Sequence, residues 1–371
     1  MVDVAVAGGG PGGCAAALAL RAHAPGLSVA LAEASAYGGE RIGETLPPPA
    51  ADVLQHLGVW DAFAAQAHHP AYGTAAAWGS PVPHENEFLY RVRQVGWHLD
   101  RGAFDGMLAG QAAARGVDVR RGTRVLDAAR QDGGWRLSLS SGDELRARFL
   151  VDATGAGASL VRRHGGARQV VADRLAGFVR FFRQPGGGGA PHTLIEAFAD
   201  GWWYTAPLPD GRRVVACMTD SDLARALRVD EDGAWRALLE GTAPRVCESL
   251  GDAVQDGEPI VRAARSRRLD PAAGEGWIAV GDAASTFDPL SSQGMLKALR
   301  SGIYAAYAAG DLLASGDHAG MHRYRAFVER EFAAYLRTRA RYYADERRWP
   351  EREFWRRRHA AAPAPALVEV G

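Results

Sequence analysis

Apolar residues alternate at the start of the chain, at Val2, Val4 and Val6, with the period of two that a half-buried strand requires. The pattern breaks at Gly8-Gly9-Gly10-Pro11-Gly12-Gly13 and gives way to an Ala- and Leu-rich run from Cys14 to about His23, which reads as a helix. A second apolar run, Ser28 to Ala32, predicts a second strand that delivers Glu33. After Pro47-Pro48-Pro49 a new helix is expected near Ala50 to Leu57, and Arg101, Phe104, Asp105 and Leu108 recur at helical spacing. Short strands are predicted at Val117 to Val119, Arg124 to Leu126, Trp135 to Leu139 and Glu144 to Val151. The turns Asp132-Gly133-Gly134 and Ser141-Gly142-Asp143 give the later ones an antiparallel character.

The run Phe149-Leu150-Val151 reads as a buried strand ending on Asp152-Ala153-Thr154-Gly155, and Trp277 to Val280 as another ending on Gly281-Asp282. Between them, Ala176 to Arg183, Thr193 to Ala199, Gly201 to Pro207 and Arg213 to Thr219 form the strands of a further sheet. Helices are expected from about Gly294 to Ala314 and from Tyr324 to about Asp345. Gly186 to Gly189 is expected to be a linker, since no buried strand precedes it and no helix follows it.

Length changes this picture only by demanding two lobes, because single cores stop growing near roughly 250 to 300 residues and this chain has 371. The elements divide into a discontinuous nucleotide lobe at 1–70, 98–165 and 265–315, and a second lobe at 71–97 and 166–264. C-terminal helices are expected at 316–359 and a disordered tail at 360–371. Lys+Arg and Asp+Glu both number 43, so no overall field calls for nucleic acid or a membrane surface. Cys14, Cys217 and Cys247 have no metal-ligand spacing, so no metal is expected. Met1 leads directly into the first strand without a basic leader, and no apolar run nears the roughly 20 residues that span a bilayer. A cytoplasmic monomer is the expectation. Lys297 is the only lysine, which removes lysine chemistry from every other position.

Gly8, Gly10 and Gly13 form G-x-G-x-x-G between a strand and a helix. The first permits a tight turn, the second admits a pyrophosphate to the backbone, and the third lets helix and strand pack closely. Glu33 lies about 20 residues beyond the loop, where a carboxylate accepts the hydroxyls of an adenosine ribose. Arg41 is placed to return to the pyrophosphate, or is a surface loop arginine. The later returns at Asp152-Ala153-Thr154-Gly155 and Gly281-Asp282 point to FAD rather than NAD, whose simple dehydrogenases close the nucleotide domain as one block. Asp282 is then a ribityl ligand, and the helix after Gln293-Gly294 offers N–H groups to the flavin.

These motifs, together with Asp288-Pro289-Leu290-Ser291-Ser292-Gln293-Gly294, resemble the flavoprotein monooxygenases of the para-hydroxybenzoate hydroxylase fold. Within that fold they resemble the branch of tryptophan halogenases and of the maturation flavoproteins of tryptophylquinone amine and amino-acid oxidases. The resemblance implies an α/β fold, with a Rossmann-like FAD lobe interleaved with a mainly antiparallel-sheet substrate lobe and C-terminal helices. It also implies FAD, electrons from NAD(P)H or from a partner reductase's reduced flavin, and molecular oxygen. Pro11, Gly12, Arg101, Val125 and Pro289 join the cofactor-binding set on the same grounds.

Halogenases of this branch use a lysine in the first part of the chain and the signature G-W-x-W-x-I-P. Here no lysine precedes Lys297, and the counterpart is Gly201-Trp202-Trp203-Tyr204-Thr205-Ala206-Pro207, with Tyr204 for the second tryptophan and Ala206 for the isoleucine. The form is closer to the maturation proteins of lysine and glycine oxidases, in which a tryptophan of a partner protein is the substrate. The expected function is FAD-dependent hydroxylation of an electron-rich aromatic, an indole of a small molecule or of a tryptophan-bearing partner protein. Halogenation, prenyl-chain reduction and a flavin-binding role without turnover are the alternatives. Trp203 and Tyr204 are expected to face substrate, with at least one ring of Trp202, Trp203 and Tyr204 in the core. His84 and His98 are candidate proton donors, Arg162 a candidate contact for nicotinamide, and no catalytic base is assigned. The arginine-aromatic tail from Arg348 to Arg358 reads as a solvated amphipathic helix or a docking surface.

Overall fold

The computed structural model describes residues 1–87, 95–184 and 192–360. The linker expected at Gly186 to Gly189, and all of the expected tail except Ala360, lie outside the described residues. The chain forms two compact units, one of residues 1–68, 99–172 and 266–332, the other of 69–98, 173–265 and 333–371.

In the first unit, Val2–Ala7 lies between Val29–Ala32 and Glu144–Asp152, parallel to both, with Val4 opposite Val29 on one side and Phe149 on the other. Asp118–Arg120 extends the sheet beyond Val29–Ala32, and Trp277–Ala279 extends it beyond Glu144–Asp152, again in parallel. Parallel strands covered on both faces carry continuous apolar runs, and Val4 to Ala7 are all buried. The hairpin strands Val125–Gln131 and Gly134–Leu139 add antiparallel pairs beside Glu144–Asp152. Helix Pro11–His23 packs against helix Gly294–Ser315 so closely that a Cβ at Gly302 would stand 2.3 Å from the Gly12 carbonyl oxygen and 2.9 Å from the Ala15 Cβ. Small residues along both helices permit that approach.

The second unit is built on a mainly antiparallel sheet. Leu175–Arg183 pairs with Arg212–Asp220, which pairs with Gly201–Pro207 and through it with Thr193–Phe198. Gly73–Ala77 is the parallel neighbour of Thr193–Phe198. Leu175–Arg183 is buried at every residue but the last, without the alternation of a one-sided strand. The reason is a pair of helices, Asp232–Thr242 and Pro244–Leu250, for which the sequence reading had no element. Their Trp235, Leu239, Val246 and Leu250 join Phe178, Phe182, Phe198 and Trp203 in one core cluster. The Glu196 carboxylate accepts from the N–H groups of Arg245 and Val246, at 3.0 and 3.1 Å, and so satisfies the start of the second helix. The long helix runs Ala319–Asp345, starting before the expected Tyr324 because the Asp317 carboxylate accepts the Ala319 N–H at 2.8 Å.

Candidate cofactor site

The glycine loop divides its work as its spacing requires. Gly8 has φ +111°, and a Cβ there would stand 2.2 Å from the Ala153 carbonyl oxygen, so the loop and the Asp152-Ala153-Thr154-Gly155 turn are in backbone contact. A Cβ on Gly13 would fall 2.0 Å from the Gly8 oxygen. A Cβ on Gly10, by contrast, meets nothing within 4 Å among the described residues. The middle glycine is open toward a ligand while its neighbours are closed by protein. Pro11 opens the helix, whose N-cap Gly10 supplies no side-chain hydrogen bond and whose first turn carries no acid. Those N–H groups are left for an anion.

Gly12 faces the second return to this unit. A Cβ on Gly12 would stand 3.1 Å from both Cα and N of Gly281, so the glycine loop and the Gly281-Asp282 turn meet here. Gly281 is held from helix Gly294–Ser315: its N–H donates to the Ser301 hydroxyl at 2.8 Å, and its carbonyl accepts from Lys297 Nζ at 3.4 Å. Lys297 also donates to Asp282 Oδ1 at 2.8 Å and to the Ser285 carbonyl. Asp282 remains half exposed, at 52% of its side chain, on the turn where a ribityl ligand is expected. Pro289 lies in a short turn of 3-10 helix, and exposed Gln293 and Gly294 begin the following helix without a side-chain cap.

Glu33 lies beside the loop but is already engaged. Its Oε2 accepts the Gly9 N–H at 2.8 Å, and its Oε1 accepts from Ser35 and from Arg41 at 3.2 Å. Burial pushes the Glu33 carboxyl up, but the Ser35 and Gly9 hydrogen bonds and the Arg41 charge outweigh it and hold it below its ordinary value. Arg41, expected at the pyrophosphate, is tied to buried Asp105 at 2.7 Å as well as to Glu33. Arg101 joins the same carboxylate at 3.1 Å and donates to the Ile42 and Gly43 carbonyls. Two arginines on one buried carboxylate brace the Tyr37 to Gly43 loop, a role that spacing alone did not reveal. Val125 begins the strand that follows Thr123, whose N–H donates to the Glu33 carbonyl at 2.7 Å.

Asp152 is fully buried and accepts from Thr154 and from the Val161 N–H at 3.1 Å, so it holds its turn together. Arg162 is exposed and donates to the Gly157 carbonyl. A residue that the sequence reading passed over is Glu44. The residue is 3% exposed, its Oε1 has no hydrogen-bond partner among the described residues, and burial pushes its carboxyl above the ordinary carboxylate value. The only signal in the sequence was an acid set between Gly43 and the apolar Leu46.

In the second unit, Trp203 departs from its expected role. It is fully buried in the core cluster, with its indole N–H donating to Thr242 at 2.9 Å, because helix Asp232–Thr242 covers that face of the strand. Trp202, on the other face, is equally buried and donates to the Tyr343 hydroxyl at 3.0 Å. Tyr204 alone of the three is partly exposed. His98 is fully buried, and His84 is exposed. The arginine-aromatic tail is neither a solvated helix nor a bare surface. Phe354 and Trp355 are fully buried, Arg358 pairs with buried Asp220 at 2.8 Å, and Arg357 pairs with Asp222 at 2.8 Å.

Among the described residues no group of three or more His, Cys, Asp or Glu is arranged to hold a metal ion, and no helix is long and apolar enough to cross a membrane. The open Gly10, two uncapped helix N-termini and a half-exposed Asp282 on a braced turn fit FAD.

The profile of the tryptophan halogenase family matches residues 3–79 and 70–370. LodB of Marinomonas mediterranea, named as an FAD-dependent oxidoreductase, is 32% identical over 368 residues, covering 96% of this chain and 97% of its own length. Among solved structures, the flavin-dependent halogenase CmlS superposes with a TM-score of 0.85 at 26% identity, over 96% of this chain and 67% of CmlS. QhpG, a peptidyl tryptophan dihydroxylase essential for tryptophylquinone cofactor biogenesis, superposes with a TM-score of 0.73 at 27% identity, over 96% of this chain and 78% of QhpG.

Proposed function

Because the chain belongs to the tryptophan halogenase family of FAD-dependent oxidoreductases, we propose that it is a monooxygenase that hydroxylates the indole of a tryptophan carried by a partner protein. One observation carries the choice of oxygen over halogen. The halogenating branch uses a lysine early in the chain, and the single lysine here, Lys297, spends its donors on Asp282, Gly281 and Ser285 in the cofactor unit. Tyr204 and Ala206 in the tryptophan signature, and the similarity to QhpG, support the same choice.

FAD supplies the electron transfer and the activation of oxygen. The net reaction takes one O2, two electrons and two protons, inserts one oxygen atom into a ring C–H bond and releases the other as water. The electrons come from NAD(P)H or from the reduced flavin of a reductase. Around the flavin, Gly10 leaves room for the pyrophosphate, the two helix N-termini favour negative charge, and Asp282 offers a carboxylate to the ribityl hydroxyls.

Family membership favours a second reading, halogenation, and one experiment separates the two. Purified protein is supplied with FAD, a reducing system, isotopically labelled oxygen, chloride and bromide, and a tryptophan-bearing peptide or candidate partner protein. Mass spectrometry should find labelled oxygen on the tryptophan and no halogen. Chlorinated or brominated tryptophan would reject the proposal, and the absence of substrate-dependent oxygen consumption would favour a binding role without turnover.

A further inference from the structure

Every other one of the chain's 43 lysine and arginine residues is an arginine, yet Lys297 is a lysine, and it occupies a place where a cation is costly. It is 5% exposed, which removes most of the water that would solvate an ammonium group. It also lies in the first turn of the helix Gly294–Ser315, the end of the helix dipole that repels positive charge. Burial and dipole both oppose it, so the ammonium stands there only with partners that offset them. A local choice that breaks two rules at once points to a site.

The geometry shows what the ammonium does. Its three N–H groups have three acceptors, Asp282 Oδ1, the Gly281 carbonyl and the Ser285 carbonyl, and it lies 5.1 Å from the centre of the Phe287 ring. A tetrahedral donor serves three acceptors around one point, whereas a planar guanidinium spreads its donors in one plane and needs more room. One turn along the same helix face, Ser301 accepts the Gly281 N–H. Lys297 and Ser301 therefore grip the two backbone polar groups of a single residue, Gly281, and Lys297 carries the grip on to the Asp282 carboxylate.

We propose that Lys297 is a positioning residue for FAD, which fixes the Asp282 carboxylate and the Gly281 to Ser285 turn in the arrangement that receives the ribityl chain. The role is independent of whether oxygen or halogen is transferred, because it concerns the hold on the cofactor and not the reaction.

The test is a double-mutant cycle on the FAD dissociation constant of the apoprotein, read by quenching of flavin fluorescence, with Lys297→Met, Asp282→Asn and the pair. Each single substitution should weaken binding by about tenfold or more, the scale of a lost charge-assisted hydrogen bond. The double variant should be no weaker than the poorer single one, since both remove one arrangement. Lys297→Arg should not restore binding. Unchanged FAD affinity in Lys297→Met, with only a lowered melting temperature, would overturn the proposal, as would two effects that multiply independently. Should Lys297→Met fail to fold, the wild-type chain still decides. Isotope-labelled lysine gives one ε-methylene NMR signal, because there is one lysine. That signal should shift when FAD is added to the apoprotein and again on Asp282→Asn, and a signal that FAD does not move would reject the role.

Discussion

Gly12 and Gly281 lie against each other so closely that a single methyl group on Gly12 would come within 3.1 Å of two backbone atoms of Gly281. One belongs to the first glycine loop and the other to the turn after strand Trp277–Ala279 of the same unit. Their contact brings together two motifs that lie far apart in the chain.

Gly8→Ala and Gly10→Ala should fail in different ways. The Gly8 methyl would enter the Ala153 carbonyl at an unfavourable positive φ, so that variant should lose stability and be recovered poorly. The Gly10 methyl meets no atom of the described residues within 4 Å, so Gly10→Ala should fold with an apoprotein melting temperature near wild type and purify without the yellow chromophore. Melting curves and the flavin absorbance of the purified variants measure both.

Glu33 and Glu44 should give opposite pH dependences in the apoprotein. Glu33 is held below its ordinary value of 4.5, so its contribution is present above that pH and is lost as pH falls through the folded value. Glu33→Gln should therefore be less stable than wild type near neutrality, with the gap closing in acid. Glu44 is raised above 4.5 by burial, so its contribution is present below that pH and is lost as pH rises through the folded value. Glu44→Gln, permanently neutral, should gain on wild type as pH rises. Melting temperatures from about pH 3 to 8 would show the two crossing trends, and parallel trends would contradict the opposed environments.

Trp355→Ala should destabilise the second unit by about 3–5 kcal/mol, the usual cost of removing a large buried ring. The ring is fully buried and its N–H donates to the Phe198 carbonyl at 3.0 Å. Urea unfolding followed by tryptophan fluorescence measures the loss. An unchanged midpoint would mean that the tail does not pack on the sheet.

Flavin reduction should be slow until substrate is present, since reduced flavin without substrate yields hydrogen peroxide. Stopped-flow mixing of the oxidised holoprotein with NADPH, with and without a tryptophan-bearing partner, measures the rate. Rapid bleaching that the partner does not alter would remove this gate.

The local grammar of the cofactor unit was legible because each signal acts over a few residues. Alternating valines, a glycine loop and an alanine helix specify strand, turn and helix by steric rules that need no distant partner. Even the later returns at Asp152 and Gly281 could be read, since each is an apolar run ending on a turn. The assignments that changed were those of side chains whose surroundings come from far along the chain. Trp203 has the spacing of a surface strand residue and becomes core because helix Asp232–Thr242 covers it. Arg41 has the position of a phosphate ligand, and its ion pair with Asp105, on the helix Arg101–Ala114, could not be read from spacing. Lys297 is conspicuous in the sequence only by its rarity, and its purpose appears once the fold brings Asp282, Gly281 and Ser285 around its ammonium. Backbone conformation follows from neighbours in sequence, whereas burial, charge pairing and the direction of a hydrogen bond follow from neighbours in space, and only the tertiary structure decides those.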